Sequence, residues 1–257
     1  MAGHEANVTG QFEARAADYV TSAAHAAGDD LVQFAELARA RPDAAALDLG
    51  CGGGHATYAI APHVRTVTAF DLSPAMLSAV SEEAARRGLG NIRTEQGTVQ
   101  ALPFRDESFD LVVSRFSAHH WTDVVPALTE ARRVLAPRGW LVMIDTAAPE
   151  NPLLDTHLQS WELLRDPSHG RNYAPSQWRA MLAQAGFVPG HETLRRLRLD
   201  FSSWIARMGT PQDDAAAIRR LQQRAPESVR AYFDVEEDGS FTLDTLTIEA
   251  DPDGASD

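Results

Sequence analysis

Asp48 stands at the head of a glycine cluster, Asp48-Leu49-Gly50-Cys51-Gly52-Gly53-Gly54, at the point where a short apolar run stops. Glycines there let the chain turn sharply and let a ligand approach the backbone beside the N–H groups that open a helix. A nucleotide-like ligand suits that surface. The dinucleotide pattern G-x-G-x-x-G fails in both registers, because it would need glycine at His55 or at Thr57, and this argues against a nicotinamide oxidoreductase. A phosphate loop fails too, since no Gly-Lys-Ser/Thr follows. What remains is Asp-x-Gly-x-Gly-x-Gly, whose leading carboxylate suits a ligand carrying an ammonium rather than phosphates. Asp71 ends a second apolar run 17 residues beyond Gly54. A carboxylate at that place accepts hydrogen bonds from both hydroxyls of a ribose, although capping or strand-end polarity would also explain it.

A second group of chemically capable residues follows the fourth apolar run: Arg115, His119, His120 and Trp121. Imidazole titrates near neutral pH, so His120 or His119 could take a proton from a phenol, an enol or a ring nitrogen. The bland alternative is that one caps a helix starting near Thr122 while the other packs. His157, Trp161 and Arg165 are spaced by four and share a helical face that could roof a ring-bearing ligand, with Arg165 on an anionic group. An Arg165 network with Asp166 or Arg171 that merely orders the loop is the alternative. No His/carboxylate spacing matches a zinc or iron site, and the adjacent His119 and His120 are expected to point apart, so no metal is expected.

These residues need elements to position them. Alternation of short apolar runs with helical patterns predicts strands at 46–50, 67–71, 91–97, 109–115 and 140–146, and helices at 55–61, 73–88 and 124–135. Ser73 followed by Pro74 is a strong helix start. The turn Pro137–Gly139 is expected to separate the last of these helices from its strand. Strands and helices at this spacing predict a parallel sheet covered on both faces, an α/β doubly wound core. Ahead of it, 12–40 reads as two helices broken at Gly28. Beyond it, helices are expected at 153–164 and 175–186, a strand from Phe187, a helix-rich insertion over 201–232 and a closing strand at 240–250, followed by an acidic, disordered tail.

The chain of 257 residues has 23 Lys plus Arg against 36 Asp plus Glu, a formal net charge of −13. That field opposes a phosphate backbone, and no basic run offsets it locally, so nucleic acid is a poor partner. Cys51 is the one cysteine, which leaves no internal disulfide and no thiolate cluster. The first twenty residues lack a cationic region followed by an apolar run, and no stretch approaches the roughly 20 apolar residues that cross a bilayer, so a cytoplasmic location without membrane attachment is expected.

The ordered set DLGCGGGH, FDLSPAML, GTVQALPFRDESFDLVVSR and EARRVLAPRGWLVMID resembles the successive motifs of class I S-adenosylmethionine-dependent methyltransferases, in the branch of the ubiquinone and menaquinone C-methyltransferases. SRFSAHHW, RDPSH and the late WIARMGTP segment resemble the bacterial YcgJ-type methyltransferases over almost the whole chain. The resemblance implies a Rossmann-like fold with a seven-stranded, mostly parallel sheet, an antiparallel last strand, N-terminal helices and helical lid insertions. It implies one domain over 1–257, with an N-terminal cap at 8–40, a cofactor core at 44–147, insertions at 148–174 and 201–235, and a tail at 251–257. It further implies that Asp48, Gly50, Cys51, Gly52 and Gly54 surround the methionine part of S-adenosylmethionine and that Asp71 holds the ribose. Leu72 and Met76 would pack near the adenosine, Gly97, Thr98 and Val99 at the adenine, Ser114 at the sulfonium, and Tyr19 over the cofactor carboxylate.

The chain departs from many relatives at Thr98, where they carry an aspartate that accepts from the adenine amino group. Gln100 likewise replaces a frequent glutamate. The implied reaction is in-line methyl transfer to a small aromatic or heterocyclic molecule that yields S-adenosylhomocysteine. Arg115, His119, His120, His157, Trp161 and Arg165 would lie on the acceptor side, and the enzyme would be a monomer or homodimer. The alternative is the same fold binding the cofactor for non-methylating chemistry or without turnover.

Overall fold

The computed structural model describes residues 2–13 and 28–253. Its sheet begins with β1 (Ala45–Leu49), β2 (Thr66–Asp71) and β3 (Ile92–Gln96), and continues through β4 (Phe109–Arg115), β5 (Leu135–Ala147), β6 (Phe187–Leu199) and β7 (Phe241–Pro252). The seven strands lie in the order β3-β2-β1-β4-β5-β7-β6. β1 to β5 are parallel, and β7 inserts antiparallel between β5 and β6. The strand order reverses between β1 and β4. Both strands feed their C-terminal loops into the crevice at that switch point, where open α/β sheets collect ligands.

Helices cover both faces. α1 (Ala2–Glu13), α2 (Asp29–Arg39), α3 (His55–Ile60), α4 (Pro74–Arg86), α5 (Val124–Val134) and α7 (Pro175–Gln184) flank the sheet. The central strands are buried on both sides, with Leu47, Val67, Val112, Val113 and Leu141 wholly inaccessible, as parallel strands sandwiched by helices must be. Ser73 caps α4 by accepting from the Met76 N–H at 3.3 Å, with Pro74 in the first turn.

The two insertions share one core of their own. α6 (Pro152–Arg165) packs against α8 (Phe201–Met208), α9 (Gln212–Arg224) and α10 (Glu227–Tyr232). Trp161 sits edge-on to Phe233 at 5.0 Å and to Phe241 at 5.5 Å, and Trp204 to Phe241 at 4.9 Å. The far ends of β6 and β7 carry this helical layer.

α1 lies ahead of the two expected helices, the first of which falls mostly outside the described residues, while the second is α2, which follows Gly28. The α1 sequence AGHEANVTGQFE has two glycines and no sustained apolar stripe, so tertiary contacts rather than local periodicity define it. Two expectations change, at Pro137–Gly139 and in the C-terminal tail. Pro137–Gly139 does not separate two elements: α5 stops at Val134, β5 starts at Leu135, and the β4 ladder steps from the Phe109–Leu135 pair to Leu111–Trp140. The predicted turn is thus an irregularity within β5. α7 ends at Gln184 with Gly186 just beyond it at φ +83°, in keeping with a glycine stop. The expected disordered tail contains Asp251 and Pro252, which pair with Val188 and Phe187, and Asp253 donates to the Gly186 carbonyl at 2.8 Å. Main-chain pairing holds these residues despite their acidic composition.

Candidate active site

Gly50 must be glycine for two reasons. Its φ is +65°, and an added Cβ would collide with the Ser117 hydroxyl. Its N–H and that of Cys51 donate to the Phe70 carbonyl at 2.8 and 3.0 Å, tying the loop after β1 to β2. Gly52, at φ +50°, has nothing within 4 Å of its would-be Cβ, so the missing side chain leaves space in the cleft itself. Cys51 lines the same cleft, and burial together with Asp71 and Asp48 pushes its thiol well above the usual range, so it is a neutral packing group there.

Asp48 is fully buried beneath this loop. Its Oδ2 accepts from the Thr57 hydroxyl at 2.6 Å, while its Oδ1 has no hydrogen-bond partner. Burial lifts its pKa from 3.8 to about 6, with the Thr57 bonds opposing the rise. An unpartnered, buried carboxylate oxygen on a residue that lines a cleft suits a cationic ligand group. Asp71 accepts from the Gly52 N–H at 2.8 Å and the Ser73 N–H at 2.9 Å, one on each oxygen. Burial raises its pKa while those backbone bonds hold it down. Two oxygens offer about four acceptor sites, so capacity for a diol remains.

The cleft, about 1010 Å³ with its mouth open to solvent, also reaches Leu72, Met76, Gly97, Thr98 and Val99. Its far end receives Glu5 and Val8 from α1. Two of the expected residues lie elsewhere. Gly54, at φ +80°, is the N-cap of α3, and an added Cβ there would meet the Tyr58 ring. Ser114 donates to the Leu49 carbonyl at 2.8 Å, stitching β4 to the end of β1 instead of facing the cleft; Ser117 lines it. Tyr19 falls outside the described residues, and His55 lines the cleft wall.

A second cavity, about 1780 Å³ and open to solvent, lies between the sheet edge and the helical insertions. Arg115, Phe116 and His120 line both spaces and form the wall where they meet. Arg115 is set by Asp30 on α2 through a 2.5 Å ion pair in which both side chains are largely buried. Phe116 adopts φ +50°, unfavourable for a residue with a side chain, and its N–H is pinned to the Ile144 carbonyl at 2.8 Å.

His119 and His120 occupy a 3₁₀ turn, Ala118–His120, with ring centroids 4.2 Å apart. The expectation that neighbouring histidines point apart is therefore overturned, because separate partners draw the two rings together. Neither caps α5, whose N-cap is Asp123, accepting from the Val125 N–H. His119 Nδ1 meets Asp145 Oδ1 at 2.5 Å, and the second Asp145 oxygen accepts the His119 main-chain N–H at 3.1 Å. Burial disfavours charge on His119, yet the Asp145 carboxylate outweighs it and the pKa is raised. His120 Nδ1 donates to the Ser168 carbonyl at 3.0 Å, which makes the neutral ring the tautomer with unprotonated Nε2. Burial, then the neighbouring His119 charge, lowers its pKa to about 4. His120 is thus neutral at physiological pH. Ser168 is itself fixed by Asp166, which accepts its N–H and its hydroxyl at 2.8 and 2.6 Å.

The expected helical face on α6 divides. Arg165 lines the second cavity, with its Nε on the Trp204 carbonyl at 3.1 Å and a guanidinium nitrogen 3.3 Å from Glu162. Trp161 is wholly inaccessible within the insertion core, and His157 lines neither space. Four-residue spacing aligned the three, but the core side of the stripe claimed the indole. Among the described residues no group of His, Cys, Asp and Glu is placed to hold a metal ion, and no helix is long and apolar enough to cross a membrane.

Glu5, Ser117, Asp145 and Ser168 carry no role in the sequence-based expectations. Asp145 could have been found by analogy with Asp71, a carboxylate closing an apolar strand. No local signal marks Glu5.

Comparison with known proteins adds to this geometry. Residues 47–143 match the model of a methyltransferase domain. The chain is 45% identical over 201 residues to the uncharacterized protein YafE of Escherichia coli, covering 78% of this chain and 97% of that one. It is 35% identical to the uncharacterized methyltransferase YcgJ of Bacillus subtilis, covering 86% and 88%. The crystal structure of YcgJ superposes with a TM-score of 0.84 at 34% identity, over 88% of this chain and 99% of that one. Demethylmenaquinone methyltransferase of Staphylococcus aureus is 34% identical over 160 residues, 59% of this chain and 64% of that one. With the sheet order, the glycine loop and these relatives together, the chain belongs to the class I S-adenosylmethionine-dependent methyltransferases, in the branch that includes YcgJ and the quinone-pathway enzymes.

Proposed function

We propose that this enzyme transfers the methyl group of S-adenosylmethionine to a small aromatic or heterocyclic molecule seated in the second cavity. The observation that carries the reading is the pair of adjoining cavities with His120 bordering both, one of them lined by Asp48, whose buried Oδ1 lacks a hydrogen-bond partner. When bound, the cofactor supplies an electrophilic methyl on a sulfonium. Asp48 takes its ammonium, and the Gly50–Gly52 backbone leaves room for the methionine chain. Asp71 receives the ribose hydroxyls between its two backbone bonds. Leu72, Met76 and Val99 give the base an apolar bed.

The chain's catalytic work is to align and to deprotonate. Displacement at the methyl carbon needs the attacking atom about 3–3.5 Å away and in line, so methyl and acceptor are to meet at the junction that Arg115, Phe116 and His120 border. His120 Nε2 accepts the proton of an acidic hydroxyl or ring N–H as attack proceeds. The Ser168 carbonyl keeps its Nδ1 protonated throughout. Arg165 and Arg115 offer positive charge to an acceptor that becomes anionic.

The test uses labelled S-adenosylmethionine with phenols, enols and N-heterocycles, each paired with its pre-methylated analogue. Release of S-adenosylhomocysteine with the unblocked acceptor alone supports the proposal. Tight cofactor binding with no release across the panel would favour non-methylating chemistry.

A further inference from the structure

Three carboxylates line the cofactor cleft: Asp48 under the glycine loop, Asp71 at the end of β2, and Glu5 on α1. The first two face an ammonium and a diol in the reading above. Glu5 belongs to the opposite end, at the Gly97–Gln100 turn. There the Thr98 hydroxyl lies 2.9 Å from Glu5 Oε1 and 2.5 Å from Gln100 Oε1. One hydroxyl hydrogen cannot serve both oxygens. The orientation of Gln100 is set by its amide nitrogen on the Asp123 carbonyl at 3.4 Å, so its oxygen is the atom turned toward Thr98. Side-chain acceptors therefore outnumber donors at this end of the cleft, and a ligand group that brings N–H donors completes it.

We infer that Glu5, supplied by the N-terminal helix rather than by the sheet, accepts the exocyclic amino group of the adenine and sets the enzyme's preference for an amino over a keto purine. The inference rests on the cofactor assignment made under Proposed function. α1 is anchored well enough to present the carboxylate. His4 Nε2 donates to the His120 carbonyl at 3.0 Å, and the Gln11 amide donates to the Met208 carbonyl at 3.1 Å. Val8, one turn from Glu5, lines the same cleft. A neutral threonine at position 98 is thus compensated by a carboxylate 93 positions away in sequence. A keto oxygen in place of the amino group would face that carboxylate with no hydrogen between them, losing a charge-assisted bond.

The test is calorimetric titration of the full chain with S-adenosylhomocysteine and with S-inosylhomocysteine, its keto analogue, for wild type, Glu5→Ala and Glu5→Gln. Wild type should bind the adenosyl compound at least tenfold more tightly. Glu5→Ala should weaken that compound about tenfold without weakening the inosyl compound, which also reports an intact fold. Glu5→Gln, whose amide can donate to the keto oxygen, should bring the two affinities within about threefold. An adenosyl-to-inosyl ratio that stays at the wild-type value in both variants overturns the role of Glu5 while leaving the cofactor assignment standing. Binding of neither compound by wild type overturns the assignment and the inference with it.

Discussion

Replacing Asp48 by asparagine tests the cofactor site at its most unusual atom. The buried carboxyl is lifted from 3.8 to about 6, which corresponds to about 3 kcal/mol of unfavourable burial for the ionised form. A pKa raised on folding means stability present at low pH and lost as pH rises through 3.8 to about 6, so the unliganded protein carries this strain at neutral pH. A ligand ammonium beside the partnerless Oδ1 relieves it. The substituted amide would keep an acceptor for the Thr57 hydroxyl and forfeit the charge. Asp48→Asn should therefore weaken S-adenosylhomocysteine by about 10- to 150-fold at pH 7.5, the span of a charge-assisted bond worth roughly 1.5–3 kcal/mol, while raising or preserving the melting temperature of the unliganded protein. Wild-type affinity should fall about tenfold between pH 7.5 and pH 5, because only about a tenth of Asp48 is then ionised. The assay is calorimetric titration of both proteins at the two pH values, with differential scanning calorimetry of the unliganded forms. Asp71 is also raised, so a residual slope in the variant belongs to it. Wild-type affinity in Asp48→Asn, or a variant with the full wild-type pH slope, would refute the reasoning.

Other outcomes follow from the same geometry. His120→Ala should lower turnover by about 10²-fold or more, the usual scale for a general base, while shifting the S-adenosylhomocysteine Kd by less than about threefold; comparable losses in both would assign His120 to packing. Asp145→Asn should let His119 lose its proton at lower pH, remove a positive charge beside His120, and move the acid limb of the pH–rate profile upward, whereas an unmoved limb would uncouple the pair. Trp161→Ala should cost about 3–5 kcal/mol in denaturant unfolding, and Trp161→Phe well under half of that, since the indole N–H has no partner. A change in acceptor KM without loss of stability would instead return Trp161 to the substrate side.

Much of the core was legible because short-range chemistry encodes it. Asp48, the glycine loop and Asp71 stand at strand ends whose apolar runs are continuous, and Ser73-Pro74 marks a helix start without help from elsewhere. The cleft residues that were missed, or moved, answer to distant partners. Ser114 was expected at the sulfonium, yet its hydroxyl found the Leu49 carbonyl on the neighbouring strand, 65 positions away. Glu5 acquires meaning only when α1 meets the turn after β3. Trp161 and Arg165 share a helical stripe, and which of them turns to the cavity depends on Phe233 and Phe241, residues from elements that spacing within α6 does not see. The side-by-side histidines likewise follow from Asp145 and Ser168, partners 26 and 48 positions away that hold one ring each.

The most direct test of the account is a crystal structure of the enzyme with S-adenosylhomocysteine. The ammonium should lie on Asp48 Oδ1, the ribose hydroxyls on Asp71, and the sulfur at the wall of Arg115, Phe116 and His120, facing the second cavity. A ligand bound in the reverse sense, or with its sulfur turned away from that wall, would contradict the assignment of the second cavity to the methyl acceptor.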